Sequence, residues 1–164
     1  MGRTANYSNE RCSVAAALSV VGDPWTLLIL RDAFFGVTRF DEWQARLGVA
    51  RNVLAARLRT LVDHGILQAQ LYSQHPPRKN YLLTPKGRDL RPVIMSLKAW
   101  GDRYVYGSGQ EPVDFIHACG AVLAPRMVCG ACGETIRGRD ISASRRDAAT
   151  VGEALAKAPR DAPG

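Results

Sequence analysis

The sequence predicts a mostly α-helical protein with a small β-hairpin wing, that is, a winged helix-turn-helix, followed by a small Cys/His metal-binding extension. Three observations predict this fold class. Two short helical patterns meet at a tight turn at Gly48, and two strand-like segments within residues 66–84 flank a proline-containing turn. A His-x-Cys pair and a Cys-x-x-Cys pair then follow within residues 117–132.

The charge of the 164-residue chain narrows the class of partner. The formal net charge is +7, with 22 Lys and Arg against 15 Asp and Glu. This charge favours a polyanionic partner without separating DNA from RNA or an acidic membrane. The N-terminal segment has no apolar stretch like that of a signal peptide, and no apolar run approaches the length of a bilayer. We therefore expect a cytoplasmic protein with no membrane partner.

The chain is expected to have four parts. A polar arm (1–11) precedes a winged helix-turn-helix DNA-binding and dimerisation domain (12–106). A zinc-ribbon-like extension (107–141) and a flexible tail (142–164) follow, the tail being rich in Ala, Arg, Asp, Pro and Gly.

Two helices are predicted before the turn. The apolar segment after Cys12 predicts a short helix that ends at Gly22. Asp23 and Pro24 are a start signal, because a capping side chain is followed by proline at the first helical position. The segment that follows is apolar nearly all round and stops at Gly36, which predicts a central buried helix.

The next helix forms the first half of the turn motif. Residues 38–41, Thr-Arg-Phe-Asp, resemble a capping box with Asp in place of Glu. Phe40, Trp43 and Leu47 then form the buried stripe of a short helix that ends at Gly48.

Residues 49–65 predict the second helix of the motif. Leu54, Leu58 and Leu61 recur at helical spacing and form one apolar stripe. The opposite face combines small residues, which allow close approach to a surface, with side chains that can hydrogen-bond to base edges. We expect four residues to face the DNA major groove: Arg51, Asn52, Ala55 and Arg59. An ordinary surface helix with solvated arginines is the alternative for such a segment taken alone.

The segments ILQAQLYS and KNYLLT have strand character, and QHPPR between them predicts the turn of a hairpin. This hairpin would project Arg78 and Lys79 beside the preceding helix, where they can meet phosphates or a minor groove. Thr38 and Arg39 are expected to hold phosphates as well.

A last helix is predicted from Thr84 and Pro85 to Tyr104, with a kink at Pro92. Its apolar stripe should pack on the first helices. A more specific interpretation is that the stripe also packs on a partner subunit, which a two-fold DNA reader needs. Four aromatic residues could line a small-molecule pocket between the central and last helices, although such spacing is more often core: Trp25, Phe34, Phe35 and Trp100.

Taken together, these motifs resemble the HxlR-type winged-helix regulators, a family related to MarR. The resemblance runs collinearly over roughly residues 12–105, through Cys12-Ser-Val-Ala, Gly22-Asp-Pro-Trp, Arg39-Phe40, Asn52-Val-Leu-Ala-Ala-Arg, Pro76-Pro-Arg and Leu83-Thr-Pro-Lys-Gly. It implies a dimeric bacterial transcription factor that binds a palindromic operator in double-stranded DNA. Three departures matter: Ala50 stands where relatives often have a capping Ser, Lys79-Asn80 stands where they often have Val-Glu, and this chain continues where many relatives end soon after the last helix.

The Cys/His pairs are the second chemical signal. Structural zinc takes four Cys or His ligands tetrahedrally, and a Cys-x-x-Cys-Gly turn offers two thiolates on one knuckle. We therefore expect a structural zinc ion bound by His117, Cys119, Cys129 and Cys132, ahead of free or redox thiols.

Cys12 stands apart from these pairs. It precedes a helix and follows Arg11, a setting in which the helix dipole and a cation stabilise a thiolate. Some members of the resembled family use a cysteine at this place to sense oxidants or electrophiles. A small buried residue is the alternative, and the one we favour slightly.

The leading hypothesis is a non-enzymatic, sequence-specific transcriptional regulator, with repression as the expected direction and a small molecule or oxidant as candidate effector. A redox enzyme is less favoured because no thioredoxin-type strand-helix unit surrounds Cys129 and the sequence shows no cofactor loop. A thiol-based redox-responsive protein, or an RNA-binding or protein-docking module built on the zinc ribbon, is the further alternative.

Overall fold

The computed structural model describes residues 12–107 and 109–142. The predicted arm lies outside these residues, and so does the predicted tail apart from Ser142. The chain divides into two compact units, of which the first ends at Leu123 and the second begins at Ala124.

The described residues of the first unit form four helices, a hairpin and two further helices, so this part is mostly helical with one two-stranded antiparallel sheet, as expected. The elements are α1 (Ser13–Val21), α2 (Pro24–Phe34), α3 (Phe40–Leu47), α4 (Arg51–Asp63), β1 (Leu67–Gln74), β2 (Pro77–Leu83), α5 (Pro85–Arg88) and α6 (Arg91–Gly101). A π-helical turn (Asp102–Tyr106) continues α6.

Helix α2 is central to the core of this unit. Asp23 caps its first turn by accepting the backbone N–H of Trp25 at 3.0 Å, as the Asp-Pro signal predicts. Ile29 and Leu30 are fully buried, and the indole N–H of the fully buried Trp43 donates to the Ile29 carbonyl at 3.2 Å. This hydrogen bond, together with the burial of Trp43, holds α3 of the turn motif against α2.

No single described helix is long and apolar enough to cross a membrane. Only α1 and α2 taken together have the length and composition, and they are bent by 79° at their junction.

The predicted kinked helix is two helices. Helix α5 ends at Arg88, and α6 begins at Arg91, so Pro92 lies in the first turn of a new helix. The prediction of a kink at Pro92 is wrong because proline costs no helical hydrogen bond in a first turn, where the backbone N–H has no intrahelical partner.

The hairpin is regular except for a register shift between Leu71 and Ser73. Its turn contains only His75 and Pro76, whereas Pro77 and Arg78, expected in the turn, belong to β2. Proline is tolerated there because it is the first residue of the strand.

Candidate nucleic-acid interface

The turn between α3 and α4 is built as the sequence predicts. Gly48 ends α3 in the left-handed conformation, at a φ of 62°, and its N–H donates to the Gln44 carbonyl at 3.0 Å. Helix α4 begins at Arg51 after Ala50, which has no side-chain capping bond. Leu54, Leu58 and Leu61 are buried, which leaves the opposite face of α4 toward solvent.

That outer face carries the residues expected to contact bases. Asn52 and Arg59 are exposed, and Ala55 between them is half-buried. Within the described part of the chain Arg59 takes part in none of the ion pairs. Its guanidinium is therefore available to an acceptor on another molecule.

Arg51 is engaged with α3. Its guanidinium donates to Gln44 Oε1 at 2.6 Å, lies 3.4 Å from Asp41 Oδ1, and covers the Phe40 ring at 4.8 Å from the ring centre. The side chains of the Arg51–Asp41 pair are 67% and 75% exposed, so this ion pair is weak and exchangeable. These contacts were not predicted from the sequence. The signal for them was a basic residue, Arg51, placed just after the turn that follows the acceptors Asp41 and Gln44.

Arg57 has a structural role that was not predicted from the sequence. It pairs with Asp23 at 3.1 Å, the same carboxylate that caps α2, and so joins α4 to the start of α2. Its Nε is buried and has no hydrogen-bond partner among the residues that the structure describes. Arg57 and Arg59 therefore differ: the first anchors α4, and the second faces outward.

The segment before α3 lies along the hairpin. The Thr38 carbonyl accepts the backbone N–H of Tyr81 at 2.8 Å, and the Arg39 guanidinium lies 5.2 Å from the centre of the Tyr72 ring. The backbone N–H groups of Thr38 and Arg39 donate to Glu42 Oε2 at 3.4 and 3.3 Å. The predicted capping box is therefore wrong in register, because Glu42 closes it and Arg39 is the N-cap residue.

Arg78 and Lys79 lie within β2, opposite Ser73 and Leu71, and both are exposed. Successive side chains of a strand point to opposite faces. The two cations consequently cannot both face the same surface, as a position at the tip of the hairpin would have allowed.

The first Cys/His pair lies in the first unit. The Nδ1 atom of His117 is 3.1 Å from the Cys119 Sγ, and Gly120 turns the chain back at a φ of 87°. A bridge between Ile116 and Val122 closes this loop.

The second pair lies in the second unit. The backbone N–H of Ala131, followed by the backbone N–H and side chain of Cys132, lowers the pKa of the Cys129 thiol. Gly133 turns the chain at a φ of 77° and donates to the Cys129 carbonyl at 2.7 Å, and Val128 bridges to Thr135. Each pair thus forms a knuckle whose donors suit a thiophilic metal. Among the described residues no three His, Cys, Asp or Glu side chains gather as a metal-binding group.

Cys12 is exposed and is the N-cap residue of α1. The alternative that it is a small buried residue is therefore wrong.

The predicted aromatic pocket is present as a cavity, but most of the residues that line it are not the predicted ones. A cavity of about 760 Å³ does lie between α2 and α6, and Phe35 lines it. Among described residues its lining does not include Trp25, Phe34 or Trp100. Phe34 packs against the core with Arg91 over its ring, whereas Trp100 is 57% exposed.

Two helices joined by a tight turn and followed by a hairpin define the winged helix-turn-helix class of DNA-binding proteins. The profile of the HxlR-like helix-turn-helix family matches residues 20–108, and the chain belongs to this family. The uncharacterised HTH-type transcriptional regulator Rv3095 of Mycobacterium tuberculosis is 45% identical over 131 residues, which are 79% of this chain and 83% of that protein.

Solved structures of other proteins described as regulators also resemble this chain. PA1607, described as a candidate transcription factor, matches with a TM-score of 0.74 and 37% identity, over 85% of this chain and 99% of its own. The reduced form of the redox regulator HypR matches with a TM-score of 0.52 and 32% identity, over 55% of this chain and 90% of its own.

Proposed function

We propose that this protein is a homodimeric transcriptional repressor that binds a palindromic operator, with α4 in the major groove and the hairpin on the flanking backbone. The observation that carries the proposal is the outer face of α4, where Asn52 and Arg59 are exposed on a helix anchored from behind by buried leucines. Family membership supports DNA as the partner.

The proposed contacts divide by chemistry. Arg51, Asn52, Ala55 and Arg59 contact base edges, for which Arg and Asn have bidentate geometry toward guanine and adenine. Arg51 exchanges its exposed bonds with α3 for DNA acceptors, which costs little because those bonds are solvated. The phosphate contacts come from Thr38 and Arg39 and, from opposite faces of the hairpin and therefore to different stretches of the DNA backbone, from Arg78 and Lys79.

A stripe that runs along α6 and into the π-helical turn after it supports the dimer. Val93, Leu97, Trp100 and Tyr104 follow helical spacing and are each more than half exposed, which is unusual for apolar residues so close together. Two copies that bury this stripe against each other would place two α4 helices for a two-fold operator.

The test is selection of bound duplexes from a random pool at a stated salt concentration, followed by gel-shift competition with RNA. We expect a palindromic consensus and poor competition by RNA. Enrichment of no sequence, or stronger binding to RNA, would favour the RNA-binding or docking alternative.

The zinc site with His117, Cys119, Cys129 and Cys132 stays a prediction, supported by the donor chemistry of each knuckle. Bound zinc would hold the extension in its folded form. Metal analysis of protein purified without chelator should find about one zinc per chain, and Cys129→Ser with Cys132→Ser should abolish it. Absence of stoichiometric zinc or iron would rule the site out.

The oxidant-sensing role of Cys12 also stays a prediction. The exposure of its thiol supports it, and so does the similarity to HypR, described as a redox regulator. Operator affinity should fall on treatment with hydrogen peroxide in the parent chain but not in Cys12→Ser. An equal loss in both proteins would exclude Cys12 as the sensor.

A further inference from the structure

Strand β1 contains a β-bulge whose extra residue is Tyr72. Leu71 lies opposite Lys79 on β2. Two residues later on β1, Ser73 lies opposite Arg78, which is only one residue away from Lys79. A bulge bends its strand and redirects a side chain, and bulges are over-represented next to functional sites. Tyr72 is 44% exposed, so burial in the core does not account for the position of its ring.

The redirected ring contacts the guanidinium of Arg39. The Cζ atom of Arg39 lies 5.2 Å from the centre of the Tyr72 ring, which is within the range of about 6 Å for a cation–π contact. Arg39 forms a bridge with Asn80 of β2, and Asn80 is also paired with Gln70 of β1. Strand β2 therefore lies between Arg39 and β1, and the two side chains meet across it.

The backbone of Arg39 is held separately from its side chain. Its N–H donates to Glu42 Oε2 at 3.3 Å, and its carbonyl accepts the N–H of Trp43 at 3.2 Å. The bridge to Asn80 adds a third constraint. With the backbone fixed, the remaining freedom of Arg39 is that of its long side chain, and the Tyr72 ring restricts it. Restricting a side chain before binding lowers the entropic cost of binding.

A stacked guanidinium keeps its hydrogen-bond donors available. The cation–π contact uses the face of the planar group, whereas its N–H donors lie in the plane and match a phosphate in bidentate geometry. Arg39 is exposed, and it takes part in none of the ion pairs among the residues that the structure describes. The ring therefore orients Arg39 without occupying the donors that a phosphate would accept.

A second cation lies on the same face of the hairpin. Residues that are directly opposite each other in antiparallel strands share a face, so Arg39 shares the face of Asn80. Arg78 shares it too, because it is two residues before Asn80 on β2. Within the described part of the chain Arg78 is likewise in none of the ion pairs. Two arginines beside one aromatic ring suit an anionic backbone.

We propose that Tyr72 is a positioning residue for DNA binding, whose ring holds the Arg39 guanidinium in the orientation that meets a phosphate. The role rests on the proposed function, in which Arg39 contacts the DNA backbone. Tyr72 acts through Arg39, so its ring matters and its hydroxyl does not. The loss caused by removing the ring consequently depends on the presence of Arg39.

The first measurement uses the full chain without DNA. Protons held over the face of an aromatic ring resonate upfield, so the side-chain protons of Arg39 should be shifted upfield in the parent chain and in Tyr72→Phe. The shift should be lost in Tyr72→Val, which keeps a residue type that suits a strand. Disappearance of the resonance in Arg39→Ala identifies it. An unshifted resonance in the parent chain, or a shift that persists in Tyr72→Val, would overturn the proposal.

The second measurement is affinity for the selected operator. Tyr72→Val should weaken binding by about 2- to 10-fold per bound chain, because a free Arg39 side chain must be ordered on binding. Tyr72→Phe should bind within about 2-fold of the parent, since it retains the ring. The matched control is Gln68→Val, at another exposed position of β1, which should also bind like the parent. An equal loss in Tyr72→Phe and Tyr72→Val would assign the effect to the hydroxyl and contradict positioning by the ring.

A double-mutant cycle separates positioning from direct contact with DNA. In the Arg39→Ala background, Tyr72→Val should cause no further loss, because no cation remains for the ring to hold. Additive losses would mean that Tyr72 contacts DNA by itself, which overturns the positioning role. Thermal melts of Tyr72→Val and Gln68→Val check that both variants are folded.

Failure of this role and failure of the proposed function give different results. A selected operator together with additive losses refutes the role of Tyr72 and leaves the proposed function standing. A random pool that yields no preferred duplex refutes the proposed function, and the role of Tyr72 fails with it even where the upfield shift is present.

Discussion

Arg57 and Arg59 lie two residues apart on α4 and have different environments. Side chains at this spacing point to different sides of a helix. Arg57 turns inward to the Asp23 carboxylate at 3.1 Å, whereas Arg59 is exposed. One arginine therefore contributes to stability and the other to binding, which makes them a matched pair for mutation.

Arg57→Ala should lower the free energy of unfolding by about 1 kcal/mol, because it removes a partly exposed ion pair that joins α4 to α2. Arg59→Ala should change it by less than about 0.5 kcal/mol, since its side chain forms no ion pair with the residues that the structure describes. Urea denaturation of both variants measures the difference. Equal destabilisation would contradict these two environments.

Arg59→Ala and Lys79→Ala should impair DNA binding in different ways. Loss of a base contact at Arg59 should cost about 1–3 kcal/mol on the selected operator and relax the base preference at one position. Loss of a phosphate contact at Lys79 should weaken all sequences alike and reduce the salt slope by about 1. Binding isotherms at several salt concentrations measure both effects. The same pattern of loss in the two variants would count against these roles.

Tyr81 introduces a pH dependence at alkaline pH. Burial raises the pKa of its phenol above the ordinary 10.0, because it disfavours the charged phenolate. Stability from this group is complete below pH 10 and declines as the pH rises through the raised pKa, since the unfolded chain ionises first. Thermal melts between pH 8 and about 11.5 should show a smaller decline for Tyr81→Phe, while Tyr72→Phe, at an exposed position, serves as the control.

At the scale of elements, the first turn of α4 is the least stable part of that helix. The N-cap residue is Ala50, whose methyl side chain cannot accept a hydrogen bond from the first N–H groups of the helix. Its middle is held by Leu58, which is 1% exposed. Local opening should therefore begin at the end that approaches DNA.

Ala50→Ser should stabilise the fold by about 0.5–2 kcal/mol, since Ser supplies the missing cap at a residue that already has extended ψ of 139°. Ala45→Ser within α3 is the control and should be neutral or slightly destabilising. In the parent chain, amide exchange should be faster at Asn52 than at Leu58 and should slow when operator binds. Uniform protection along α4 would contradict this account.

Element type was more predictable than element boundaries. Asp23 with Pro24, the glycine stop at Gly48 and the leucine stripe of α4 all act through near neighbours, and each is confirmed. The helix break before Pro92 and the two-residue hairpin turn were missed. In each case the local sequence allows the helix to break, or the chain to turn, at either of two places. Tertiary packing decides between them, and a local sequence pattern carries no information about that packing.

At the scale of the whole molecule, the exposed apolar stripe on α6 needs an explanation. Val93, Trp100 and Tyr104 are each more than half exposed in the single chain. Apolar residues in one row on a helix lower their free energy when a second surface covers them.

Val93→Glu with Trp100→Glu should convert the dimer to a monomer and lower operator affinity by at least 10-fold, because charge at the proposed interface opposes its burial. Ala45→Glu, at an exposed position on α3, should leave the oligomeric state unchanged. Sedimentation velocity measures the state of each variant. A parent chain that sediments as a monomer on operator DNA would refute the dimer.

The sequence by itself determined helices α1 to α4, the turn between α3 and α4, the presence of the hairpin and the missing cap at Ala50, because capping, glycine stops and side-chain periodicity act over a few residues. Tertiary structure alone decided that Arg57 meets Asp23 and that Asp32 and Phe115 line the same cavity between α2 and α6. Arg57 lies 34 positions after Asp23, and Phe115 lies 83 positions after Asp32. Residues so far apart in the chain come close only because α2 packs against α4 and α6.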